Sequence, residues 1–89
     1  MYYPYAKLWD ETEVVFSPID NGKSNVLFEK PDAKFGFKTF RVCIPSYVVL
    51  ESRGFSDDEI KGLMLYTRAN SGLILSLARQ GGWGNANVF

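Results

Sequence analysis

The stretch FSDDEIKGLMLYTRANSGLILSLARQGG, residues 55–82, decides the fold. Ser56-Asp57-Asp58-Glu59 matches a capping box, in which the serine hydroxyl accepts the third amide and the glutamate reaches back to the cap amide. Phe55 before the cap and Ile60 after it are placed for a hydrophobic staple. The acids stand at the positive end of the helix dipole and the bases further along, the favourable order. Gly81-Gly82 supplies a stop. A helix of about 23 residues is predicted from 57 to about 80, or two helices meeting near Asn70-Ser71-Gly72, where an interior glycine costs about 1 kcal/mol relative to alanine.

On a helical wheel with Ile60 at zero, Ile60, Leu63, Met64, Thr67, Ser71, Ile74, Leu75 and Ala78 fall within an arc of about 120°, which is expected to lie on a sheet. A second apolar group, Tyr66, Leu73 and Leu77, falls at about 220° to 260°. The two arcs together exceed what one small sheet covers. Either the terminal aromatics of the same chain (Tyr2, Tyr3, Tyr5, Leu8 and Trp9, or Trp83, Val88 and Phe89) fold over the second arc, or another molecule does.

Residues ahead of Gly54 are β-patterned. Ala6 to Trp9 forms a first apolar run, and Glu13–Ser17 is β-branched and aromatic, as strands prefer. Asn21-Gly22 is a strong hairpin signal, since both residues tolerate the positive φ of a type I′ turn. Asn25–Lys30 reads as the return strand, and Pro31-Asp32-Ala33-Lys34 as a second turn. Phe35 to Ile44 is the longest strand and ends at Pro45, which cannot donate to a ladder. Tyr47 to Leu50 fits either another strand or an approach to the helix. The expected fold is α+β. It is a single domain over 1–89 with a β-rich half (1–53), a helical segment (55–80) and a tail (81–89). Three or four antiparallel strands form a meander, and one long C-terminal helix, straight or kinked, packs on it.

Composition narrows the function. The 89 residues are 46% hydrophobic and 16% aromatic, which is incompatible with a disordered chain. Cys43 is the only cysteine, so there is no disulfide framework. With no histidine, His-based acid–base catalysis, Cys–His or Ser–His dyads and the usual zinc sites are excluded. Cys43 has no base beside it to activate a thiolate and reads as a packing residue. Asp57, Asp58 and Glu59 are accounted for as caps. Asp10, Glu11 and Glu13 lack the spacing of a calcium loop. No cofactor, metal or catalytic residue is expected, and the chain reads as a non-enzyme.

Ten basic and ten acidic residues balance, and nucleic-acid binders usually carry a basic excess. The balance is uneven along the chain, however, and residues 60–89 hold three bases and no acid. Lys61, Arg68 and Arg79 fall on one line of the helix. Lys34-Phe35-Gly36-Phe37-Lys38-Thr39-Phe40 shares a Phe-Gly-Phe core with the RNA-recognition-motif consensus. It lacks the glycine before the first aromatic and has Lys38 where an aliphatic residue belongs. No helix fits between the first two strands, so membership of that family is rejected. An aromatic-basic strand of Lys34, Phe35, Phe37, Lys38 and Arg41 is left as a stacking platform for single-stranded nucleic acid.

No apolar run is long enough for a membrane span, and Met1-Tyr2-Tyr3-Pro4-Tyr5 lacks the basic start and apolar centre of a signal peptide. A cytoplasmic setting is expected. The favoured role is a protein-interaction module, a homodimer or a binder of another protein, with Tyr66, Leu73, Leu77, Trp83 and Phe89 at the contact. The nucleic-acid reading is the alternative.

Overall fold

A computed structural model describes residues 1–34 and 36–81. Its elements are β1 (Tyr3–Lys7), β2 (Glu13–Phe16), β3 (Ser24–Asp32), β4 (Gly36–Ile44), β5 (Val48–Arg53) and α1 (Asp57–Gln80). The strands form one antiparallel sheet in the order β1-β2-β3-β4-β5. The chain is thus α+β, with five strands where the sequence suggested three or four. The strands flanking the central three, β1 and β5, are the edges. β1 starts at Tyr3, whose ring lies 5.7 Å from that of Phe16. It absorbs Pro4 next to a bulge, a position where an edge strand tolerates proline. β5 follows a turn closed by Tyr47 N–H to the Cys43 carbonyl at 2.7 Å, so the Tyr47–Leu50 segment pairs as a strand from Val48 onward.

At the β2–β3 connection, Asn21 and Gly22 take φ of 57° and 78°. Asp20 and Lys23 exchange backbone hydrogen bonds of 2.8 and 3.0 Å across this turn. The second turn lies later than its sequence implies. β3 runs on through Pro31 and Asp32, which pair with Phe37 and Gly36.

Strand alternation sends Val14, Phe16, Val26, Phe28, Phe40, Val42 and Ile44 to one face, where they meet Leu63, Ile74, Leu77 and Ala78 of α1. The helix is continuous. Its two central polar residues are hydrogen-bonded without breaking it: Asn70 donates to the Tyr66 carbonyl (2.8 Å) and accepts from Tyr5 Oη (2.7 Å), while Ser71 Oγ accepts from Tyr47 Oη (2.9 Å). These bonds tie α1 to β1 and to the β4–β5 turn. The helix ends at Gly81, whose φ of 82° is left-handed and whose N–H reaches the Ala78 carbonyl.

The capping box is formed. Ser56 Oγ accepts from Glu59 N–H at 3.2 Å, and Ser56 N–H donates to Glu59 Oε1 at 2.8 Å. That donation, with Lys38 Nζ 3.6 Å away, holds the Glu59 carboxyl below the usual range. A lowered carboxyl stabilises the fold above its ordinary pKa, and the contribution is lost as pH falls through the lowered value. Replacing Ser56 by alanine is expected to cost about 1 kcal/mol in urea unfolding at neutral pH. Glu59→Gln, which keeps an acceptor but cannot titrate, is expected to flatten part of the stability loss below the ordinary value of 4.5. An unchanged acid profile would mean that Glu59 is not coupled to folding.

Candidate interaction surface

Tyr66, Leu73 and Leu77, adjacent on the wheel, have different fates. Leu77 is only 3% exposed, inside the core. The Tyr66 ring meets Phe28 edge-on at 5.9 Å and Tyr5 at 6.4 Å. The same chain therefore covers these two, because β1 widens the sheet and brings Tyr5 over the helix. Leu73 is 52% exposed. Trp83 and Phe89 lie outside the described residues.

Leu65, which belongs to neither wheel arc, is 69% exposed. Together with Gly62, Ala69, Gly72 and Leu73, all exposed, and half-buried Ser76, it makes the outer face of α1. Across roughly 100° of the helix, from about 120° to 220° on the wheel, no charged side chain intervenes between Asp58 and Gln80. A solvent-facing helix surface ordinarily carries its charges there. The signal was present in the sequence as a missing charge rather than as an apolar cluster. Of the basic line beside it, Arg68 is turned down onto the Tyr47 ring, 4.2 Å from its centroid, while Lys61 and Arg79 are exposed.

The aromatic-basic strand does not gather on one surface. Phe37 is 49% exposed and Arg41 shares its face, with the guanidinium 3.5 Å from Glu51. Lys38 alternates to the helix side, between Glu59 and the Phe55 ring. Lys34 occupies the β3–β4 turn, its N–H on Asp32 Oδ2 at 3.0 Å. Phe35 lies outside the described residues.

Two other features stand out. Val48, Val49 and Leu50 on the β5 edge are 55%, 45% and 50% exposed. A groove of about 420 Å³ lies between the β1–β2 connection and α1, lined by Leu8, Trp9, Asp10, Glu59, Leu63 and Tyr66 among others. Its two carboxylates have structural partners. Burial pushes the Asp10 carboxyl up, but bonds from Thr12 and the charge of Lys30, 3.5 Å away, outweigh this and hold it low; Glu59 closes the capping box. Both stay ionised at neutral pH, which suits capping and pairing rather than proton transfer. Cys43 is buried on the face opposite α1, as expected of a packing residue. No helix among the described residues is long and apolar enough to cross a membrane, and those residues hold no cluster of three metal-ligating side chains.

No protein-family model matches the chain, and no curated protein and no solved structure matches it either.

Proposed function

We propose that the chain is a small non-enzymatic protein-interaction module of the cytoplasm that self-associates through the outer face of α1. The observation that carries this reading is the uncharged outer face with Leu65 and Leu73 more than half exposed. Full burial of a leucine is worth roughly 1.5–3 kcal/mol, and with Leu65 69% and Leu73 52% exposed the four leucines of a symmetric pair have roughly 4–7 kcal/mol left to gain before the cost of association. That cost takes much of the gain, so the leucines support a weak dimer, of about 100 μM affinity or weaker. Zero net charge imposes no long-range repulsion between copies. The nucleic-acid alternative has less support, since Lys38 lies on the opposite face of β4 from Phe37 and Arg41 pairs with Glu51.

Light scattering over a concentration series tests the reading. The mass is expected to rise from 10.1 kDa towards twice that value between ~1 and ~500 μM. A mass fixed at 10.1 kDa throughout would overturn it.

A further inference from the structure

We propose that the second copy lies antiparallel across α1, with Ala69 facing Ala69 at the two-fold axis and each Leu65 packed beside the partner's Leu73. This rests on the self-association proposed above and adds its geometry.

Three independent observations point to it. The first is a pair of glycines. Apart from its chain neighbours and the helix's own nearby backbone, a Cβ built on Gly62 or Gly72 meets no atom of the described residues within 4 Å, and neither needs a positive φ. Both weaken the helix, and no described residue packs closely enough against either to require it. A second backbone passing close to this face does, because helices approach most closely where side chains are smallest.

The second is symmetry. An isologous contact must be self-complementary, so each position on the face has to accept its own reflection. Counting outward from Ala69, Leu65 and Leu73 lie four residues away on either side, and Gly62 and Ser76 lie seven away. Reversing the helix about Ala69 therefore sets Leu65 beside Leu73, Gly62 beside Ser76 and Ala69 beside itself.

The third is charge. The first turn of α1 carries Asp57, Asp58 and Glu59 and its last turn carries Arg79. Antiparallel pairing brings each Arg79 to the acidic turn of the other copy and opposes the two helix dipoles, whereas parallel pairing sets acids against acids. Arg68, the cation nearest the axis, is held away on Tyr47.

Cysteine trapping and one glycine variant test the geometry. Cys43, 8% exposed on the face of the sheet opposite α1, makes the natural chain the control. Under mild oxidation Ala69→Cys is expected to form a disulfide dimer at least ten times faster than the natural chain. Leu65→Cys mixed with Leu73→Cys should give the mixed dimer in excess over either self-pair, since Leu65 and its own counterpart would stand about 12 Å apart along the axis. Gly72→Ala should raise Tm at high dilution by about 2–8 °C while weakening the dimer at least tenfold.

A dimer by light scattering that traps at Leu65→Cys with itself would overturn the antiparallel arrangement and leave self-association standing. So would a dimer that does not trap at Ala69→Cys, or one that Gly72→Ala strengthens. A chain monomeric throughout would remove both.

Discussion

Phe28→Ala is expected to bring the chain to the edge of unfolding at 25 °C. Phe28 is fully buried on β3, the central strand of the sheet. Its ring lies 6.0 Å from Phe40 and 5.9 Å from Tyr66, so it joins the sheet to the helix. Removing such a ring costs about 3–5 kcal/mol, from lost transfer energy and the cavity left behind. Total stability at roughly 0.05–0.15 kcal/mol per residue is only about 4–13 kcal/mol for a chain of this length. In urea, with a slope near 1 kcal/mol per molar, the midpoint should fall by about 3 M or the transition should vanish. Phe37→Ala, where the ring is 49% exposed, should cost under about 1 kcal/mol. Equal losses at the two positions would mean that the faces of the sheet are assigned wrongly.

Leu65→Lys combined with Leu73→Lys is expected to weaken the proposed dimer by at least 100-fold while leaving the monomer folded. Both side chains are more than half exposed, and lysine sustains a helix about as well as leucine, so unfolding should shift by less than about 1 kcal/mol. In the proposed dimer, four ammonium groups would be forced into a face that holds no acid along its central turns. Leu77→Lys provides the contrast. That residue is 3% exposed, and an unpaired charge there should unfold the monomer itself. If the double variant associates as tightly as the natural chain, the contact lies elsewhere, and the β5 edge with its three exposed aliphatic residues becomes the place to look.

The helix was legible almost to the residue, because its limits are local chemistry: a capping box at Ser56–Glu59 and a glycine able to take left-handed φ at Gly81. The Asn21-Gly22 turn was legible for the same reason, as was the inward set Phe40, Val42 and Ile44, which alternates in a central strand. The edges were harder. β1 carries a proline and a bulge. In β5 an irregularity in the pairing of Arg41 and Val42 interrupts the two-residue period over Val48-Val49-Leu50. Neither segment announces its partner.

That omission propagated to the surface. A wheel drawn for α1 alone leaves Tyr66 and Leu77 open to the chain's own terminal aromatics or to an outside partner, and only a sheet wide enough to bring Tyr5 over Tyr66 decides for the first. Leu65 escaped notice because a single leucine among glycine and alanine does not read as an apolar cluster. Its meaning comes from the missing charge around it, which becomes visible once the covered arc is known.

The most direct measurement is an isotope-filtered NOE spectrum on a mixture of labelled and unlabelled chain at a few hundred micromolar. It should show Leu65 methyl protons of one copy in contact with Leu73 methyl protons of the other. Cross-copy signals confined to β5, or none at all while both leucines remain accessible to a soluble paramagnetic probe, would contradict the account.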